Sequence, residues 1–356
     1  MISDTFWRNR RVFITGHTGF KGSWLVHWLT SLGSRVSGYA LPPDQQPSLF
    51  NLSHAGHDME RSHFGDIRDA VSLASALRAA EPELVIHLAA QPLVRRSYVV
   101  PSDTWAVNVM GTVNVLEAAR ICPSVKGILA VTTDKCYENN NWVWGYRETD
   151  GLGGHDPYSA SKAAAELAIQ SYRRSFMQSS GPLLASARAG NVIGGGDWSD
   201  DRLIPDAARA IAAGTPLVVR NPDATRPWQH ILDCLSGYLT LSQALLEGRR
   251  ETASAYNFGP KQSGNLAVGD VLARLKIHWP ELEWRVEADA AALGPHEAAF
   301  LFLDTSKANM ELKWRTRWNV DDALRATAVW YRAVLRDNQD ARALTQRQIT
   351  EYSSHE

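Results

Sequence analysis

Residues 12–22 read Val-Phe-Ile-Thr-Gly-His-Thr-Gly-Phe-Lys-Gly, a short apolar run that breaks into glycines at three-residue steps. The apolar run predicts a buried strand, and the amphipathic run that begins at Phe20 predicts a helix. Between them Gly16, Gly19 and Gly22 let the backbone turn and let a ligand approach with no Cβ in the way. The helix points its free N–H groups and positive dipole end at that turn, which suits a pyrophosphate. The stretch therefore predicts a dinucleotide site, with Gly16, Thr18, Gly19, Phe20, Lys21 and Gly22 around the cofactor. Its spacing is Gly-x-x-Gly-x-x-Gly, so taken alone it also fits a tight β–α corner without a ligand.

The alternation continues. Apolar periodicity predicts strands at 11–15, 34–39, 84–88 and 128–132 and helices at 20–32, 71–80, 103–120 and 158–177. Such alternation predicts a parallel sheet covered on both faces, with right-handed crossovers and ligands beyond the carboxyl ends of the strands. The glycine turn, Leu88-Ala89-Ala90 and Thr133-Asp134-Lys135 then fall on one rim. Residues 42–64, with Pro42, Pro43 and Pro47, read as loop. The second strand ends Gly38-Tyr39-Ala40-Leu41-Pro42, with neither the carboxylate that usually holds an adenosine ribose nor an arginine for a 2′-phosphate. That strand end does not separate NAD from NADP. Asp66, followed by Ile67, either accepts from an adenine amino group or serves as a cap or turn residue.

From Arg188 the punctuation changes, and Gly194-Gly195-Gly196 marks a loop. Helices are expected at 201–213, 233–246, 269–276, 307–314 and 320–336, with short strands at 217–220 and 255–258. Asn191, Arg202 and Arg226 are candidates for a nucleotide diphosphate, because the guanidinium fork matches phosphate oxygens. His230 reads as structural. The expected division is 1–187 for the dinucleotide-binding domain with segments returning from the C-terminal half, 188–336 for a substrate lobe, and 337–356 for a charged, helical, solvated tail.

Composition narrows the partners. A formal net charge of −1 argues against nucleic acid as the principal partner. No run of ~18 apolar residues is available to span a membrane, and the start carries no apolar leader segment. Cys122, Cys136 and Cys234 form no metal-type pair and leave one over from any disulfide, which predicts a reducing, cytoplasmic setting. The 13 tryptophans, many beyond residue 140, either line a sugar or base pocket or pack the core.

Tyr158 and Lys162 are four apart and share a helix face. An ammonium near a phenol favours phenolate, so Tyr158 is placed to take a proton from a sugar hydroxyl, and Lys162 to bond a nicotinamide ribose. Together with Gly16–Gly22, Thr132-Thr133-Asp134-Lys135-Cys136-Tyr137, the run from Arg188 to Trp198 and Arg226-Pro227-Trp228-Gln229-His230, this pair resembles the extended short-chain dehydrogenase/reductase family that modifies nucleotide sugars, and within it the 4,6-dehydratases. The resemblance runs from residue 5 to about 335. It implies a Rossmann-type doubly wound parallel sheet with a smaller C-terminal substrate-binding lobe. It also implies bound NAD, CDP-glucose as the nucleotide sugar, no metal, and a homodimer or homotetramer built on helices 103–120 and 158–177.

The implied reaction is a lyase reaction of deoxysugar biosynthesis: oxidation at C4, loss of water across C5 and C6, and reduction at C6. Tyr158 would be the C4 base, Thr133 would bond the C4 oxygen, and Asp134 would protonate the departing C6 hydroxyl. In related dehydratases a glutamate follows that aspartate and removes the C5 proton; here the residue is Lys135. Burial and neighbouring positive charge favour a neutral amine, so Lys135 is either the C5 base or a cation beside the enolate. A 4-epimerase needs only Tyr158 and Lys162, and a dehydratase for another nucleotide sugar needs the whole set. A non-catalytic NAD-binding protein needs none of it.

Overall fold

The computed structural model describes residues 2–177, 180–287 and 300–354. In chain order the strands are β1 (Arg11–Thr15), β2 (Arg35–Ala40), β3 (Arg61–Phe64), β4 (Leu84–His87), β5 (Gly127–Val131), β6 (Leu183–Ala189), β7 (Asn191–Ile193), β8 (Leu217–Val219), β9 (Thr225–His230), β10 (Ala255–Phe258), β11 (Asn265–Ala267) and β12 (Trp284–Val286). Seven of them form one parallel sheet in the order β10-β6-β5-β4-β1-β2-β3. This is the doubly wound arrangement expected from the sequence. Chain direction across the sheet reverses between β1 and β4, the place where open α/β sheets bind ligands.

β1, β4 and β5 are apolar runs because both faces of the sheet are covered. β3 lies at the edge with every residue exposed, and its Arg-Ser-His-Phe has no apolar alternation. The region read as loop at 42–64 therefore contains this strand, besides a short helix at Leu49–Leu52. β6 and β9 had no expected counterpart: β6 is buried throughout, yet small residues and Arg188 interrupt its apolar pattern.

The longer helices are α1 (Phe20–Ser31), α2 (Ala70–Ala80), α3 (Thr112–Arg120), α4 (Pro157–Phe176), α5 (Leu203–Ala213), α6 (Ile231–Leu246), α7 (Val268–His278), α8 (Val320–Leu335) and α9 (Ala341–Ser354). One core layer packs α2, α3 and α4 against the sheet. The other packs α1, α6, α8 and α9. Trp7, Trp24, Trp28 and Trp330 are fully buried in the second layer, so these tryptophans pack the core. The helix expected at 103–120 is three consecutive pieces: Pro101–Trp105, a π-helical turn at Ala106–Gly111, and α3. In that turn Asn108 accepts from Gln91 N (2.8 Å) and donates to Gln91 O (3.1 Å) and Ser161 Oγ (2.9 Å). It thereby ties the loop after β4 to α4.

Beyond β6 the chain builds a smaller lobe from the sheet β11-β9-β7 and the parallel pair β12-β8. α6 and β10 return to the main sheet. The tail is helical but not solvated. In α9, Ala341, Leu344, Thr345, Gln348, Ile349 and Tyr352 are buried, a stripe at helical spacing along one face. Tyr352 donates to Asp233 Oδ1 at 2.8 Å, and Arg342 pairs with Asp58. The density of charge had masked that stripe.

Candidate active site

The glycine turn closes β1 onto α1. Gly16 has φ +79°, and a Cβ there would lie 2.7 Å from Ala89 N. A Cβ on Gly22 would lie 2.2 Å from Gly16 O. Both glycines are thus required by close backbone approach, and Ala89 sits directly against the turn. Gly19 is the N-cap of α1 and supplies no side-chain cap, so the first N–H groups of the helix are left for an anion. Thr18 Oγ1 donates to Leu41 O at 2.9 Å, joining the turn to the end of β2. No carboxylate stands there. His17 does: its ring is buried against Gly38, where a Cβ would lie 2.5 Å away, and Nε2 meets Ser62 Oγ at 2.8 Å. Burial pulls His17 down to about 4, so it is neutral.

Asp66 lies in a turn, with Oδ1 accepting from Arg68 N at 2.9 Å and the carboxylate paired to the Arg68 guanidinium. The Arg68 hydrogen bond holds its carboxyl below the usual range. The helix cap beside it is Asp69. Ile67 is buried under Gly111. Phe20 is half-buried at the start of α1, and Leu88 N bonds Thr15 O at 3.0 Å. Lys21 Nζ donates to Tyr238 Oη on α6 at 3.4 Å.

The catalytic candidates come from the end of β5 and the start of α4. Asp156 caps α4 by accepting from Ser159 N, and Pro157 starts it, which places Tyr158 in the first turn. Tyr158, Thr133, Asp134 and Lys162 are all buried, and Lys135 is half-buried. Thr133 Oγ1 donates to Asp134 Oδ1 at 3.0 Å. Burial pushes Tyr158 up to about 12, against the pull of Thr133 and Arg202. The phenolate expected from Lys162 is therefore not the resting state, because desolvation outweighs the favourable charges. Burial, followed by the charge of Lys21, lowers Lys162 to about 8.

Asp134 is raised above its ordinary value by burial, against Lys135, Thr133, Arg226 and Lys21. Its Oδ2 is buried with no hydrogen-bond partner among the described residues. A buried carboxyl with one oxygen unmatched is placed to exchange a proton with a bound ligand.

Beneath this group lies a network the sequence reading missed. Glu166 Oε2 accepts from Arg188 at 2.8 Å and Ser186 at 2.9 Å, and Oε1 from Thr132 at 2.5 Å. Arg188 also donates to Tyr137 Oη at 2.8 Å. Glu166 is one turn beyond Lys162 on the same helix face, a spacing that marks it. The network braces Thr132 and Tyr137, on either side of Thr133-Asp134-Lys135.

The smaller lobe faces the same place. Arg202, the N-cap residue of α5, pairs with Asp197 at 2.9 Å, and its charge reaches Tyr158. Arg226 on β9 acts on Asp134. Asn191 opens β7, paired with Trp228 of β9. His230 caps α6, accepting from Leu232 N at 3.2 Å, and is packed 4.6 Å from Trp318, a structural role. The three cysteines are free and buried, and no group of potential metal ligands occurs among the described residues.

A profile of the GDP-mannose 4,6 dehydratase family matches residues 13–327. The chain is 44% identical over 360 aligned residues to the CDP-glucose 4,6-dehydratase of Salmonella typhimurium, covering 99% of each chain. It is 26% identical to the dTDP-glucose 4,6-dehydratase of Shigella flexneri, over 91% of this chain and 93% of that one. Among solved structures, the dTDP-glucose 4,6-dehydratase DesIV of Streptomyces venezuelae, with NAD bound, superposes with a TM-score of 0.73 at 26% identity, covering 90% of this chain and 97% of that one. With its parallel sheet, glycine corner, Thr-Asp-Lys segment and buried Tyr-x-x-x-Lys pair, the chain belongs to the GDP-mannose 4,6 dehydratase family.

Proposed function

We propose that this protein is an NAD-dependent CDP-glucose 4,6-dehydratase, forming CDP-4-keto-6-deoxyglucose and water. The observation that carries the reading is Asp134. An epimerase has no use for a buried carboxyl held above its ordinary range beside Tyr158, whereas dehydration requires an acid there. Cytidine and glucose follow from the likeness to the Salmonella enzyme. The corner made by Gly16, Gly22, Ala89 and the uncapped start of α1 fits a dinucleotide. Thr18, Gly19, Phe20, Ile67, Leu88 and Ala90 would line it, with Asp66 near the adenine.

When bound, NAD would supply the acceptor for the C4 hydride and the source of its return to C6. Once Tyr158 has given up its own proton, its Oη is the group for the C4 hydroxyl proton, and Thr133 Oγ1 orients the C4 oxygen. Asp134 Oδ2 delivers a proton to the departing C6 hydroxyl. Lys162 would bond the nicotinamide ribose. Asn191, Arg202 and Arg226 would hold the diphosphate, with guanidinium charge opposing phosphate. Lys135 is assigned the C5 proton, with its cation beside the enolate as the rival role.

One experiment tests both parts. Incubation with CDP-, dTDP-, UDP- and GDP-hexoses is expected to convert CDP-glucose to a product lighter by one water; turnover of none, or epimerisation alone, ends the reading. In deuterium oxide, Lys135→Met is expected to slow C5 exchange by about 10²- to 10⁴-fold, the usual worth of a general base. Fast exchange in that variant leaves Lys135 only its electrostatic role.

The reading extends to a homodimer or homotetramer. Val99, Trp105, Met110 and Leu167 are exposed apolar residues on the 94–111 segment and α4, at 79%, 41%, 55% and 55% exposure. Light scattering is expected to give two or four copies, and a monomer at micromolar concentration would refute the assembly. A reducing, cytoplasmic setting is proposed on the three free, buried thiols, and no described helix is long and apolar enough to cross a membrane.

A further inference from the structure

Gly190 joins β6 to β7, where the chain leaves the main sheet for the smaller lobe. Its φ lies outside the left-handed region, so the backbone does not call for glycine there. Space does. A Cβ at 190 would lie 2.8 Å from Asp134 Oδ2 and 2.7 Å from Pro227 Cγ. Packed atoms do not tolerate such distances, so a neighbour would have to move. The chain at 190 is pinned on both sides: Ala189 pairs with Phe258 of β10, and Asn191 with Trp228 of β9. Pro227 is a buried ring on β9, paired with Asn265. The Asp134 carboxyl, by contrast, is the end of a side chain that can turn. Its Oδ1 accepts from Thr133 Oγ1 at 3.0 Å. Its Oδ2 is buried without a hydrogen-bond partner among the described residues, on the side of Gly190 where a Cβ would project.

We propose that Gly190 is a positioning residue of the dehydration step: its missing side chain leaves the slot that sets the direction of the Asp134 carboxyl. The role of Asp134 rests on the dehydratase reading; the packing of Oδ2 against Gly190 does not. A methyl group at 190 turns the carboxyl off its line. Oxidation at C4 uses Tyr158 and Thr133 and leaves the acid aside, so the substitution separates the two steps. Gly190 and Pro227 are also the chain neighbours of Asn191 and Arg226. The segments that would grip the diphosphate are thus the ones that hold the acid.

The test is a double-mutant cycle of Gly190→Ala and Asp134→Ala, read in two ways. In single turnover with CDP-glucose, Gly190→Ala is expected to slow formation of the dehydrated product about 10²-fold, the cost of roughly 1 Å of misplacement. Reduced nicotinamide should build up, because C4 oxidation proceeds. In the Asp134→Ala background the same substitution should slow the product by no more than about twofold further. The second reading is the melting temperature without nucleotide sugar. Gly190→Ala should lower it in the wild-type background, and much less in the Asp134→Ala background. If Gly190→Ala alone does not fold, the double variant is expected to fold. A double variant that is also unfolded would assign the clash to Pro227 and overturn the proposal. Losses that multiply across the cycle, or C4 oxidation slowed as much as dehydration, would overturn it too. Coupled melting in a protein whose wild type never converts CDP-glucose would keep the contact and sink the dehydratase reading instead.

Discussion

Tyr158→Phe is expected to lower turnover of CDP-glucose by about 10²- to 10⁴-fold, the range for loss of a general acid–base group. Affinity for the nucleotide sugar should change little, because the ring and its packing remain. The phenol is buried in the first turn of α4, and burial pushes it up to about 12. Removing its oxygen leaves the C4 hydroxyl with Thr133 as a neighbour, and a threonine hydroxyl gives up its proton far less readily than a phenol. The fold should survive, since the substitution removes only one hydroxyl, worth roughly 1 kcal/mol even where it is hydrogen-bonded. Single-turnover measurement separates the steps: the variant should fail at C4 oxidation, before any C5 exchange. Retention of more than about a tenth of wild-type turnover would remove Tyr158 from the mechanism.

Arg188→Leu should give the largest loss of stability of any change considered, about 3–5 kcal/mol by chemical denaturation. Arg188 and Glu166 are almost completely enclosed, and the substitution leaves the carboxylate without its cation. Burial pushes Glu166 up, but Arg188 and the hydrogen bonds from Thr132 and Ser186 outweigh it and hold its carboxyl below the ordinary range. The pair's contribution is therefore complete above the usual glutamate range and is lost as pH falls through the lowered value. Arg188→Leu should lose this acid dependence along with its stability. Glu166→Gln combined with Arg188→Met should recover part of the loss, because no unpaired charge then remains. A loss under about 1 kcal/mol in Arg188→Leu would mean that the network does not brace the catalytic segment.

Local pattern carried most of the main sheet. β1 and β10 fall where apolar runs place them, and α1, α4 and α8 begin within a residue of expectation. The strands that escaped are those whose pattern is overridden by tertiary contacts. β3 is an exposed edge with nothing to bury, and β6 hides a charge that is matched only by a residue on α4. The site shows the same division. Glycine spacing and the Tyr158–Lys162 interval are local signals, and the structure brings Thr133 and Asp134 to the phenol. The direction of Lys21 is decided by Tyr238, more than two hundred residues away, and no window of sequence contains it. The protonation of Tyr158 was misjudged for a related reason: helix spacing shows a neighbour, but not how much water has been removed from both.

The docking of α9 bears on how the chain folds during synthesis. Trp28 of α1 packs edge-on to Tyr352, with ring centres 5.7 Å apart, so one of the first helices to leave the ribosome is covered by one of the last. Contacts of such long range close late. Until residue 352 emerges, α1 presents unmatched apolar surface to water, and a nascent chain stalled short of that point is an expected client of holding chaperones.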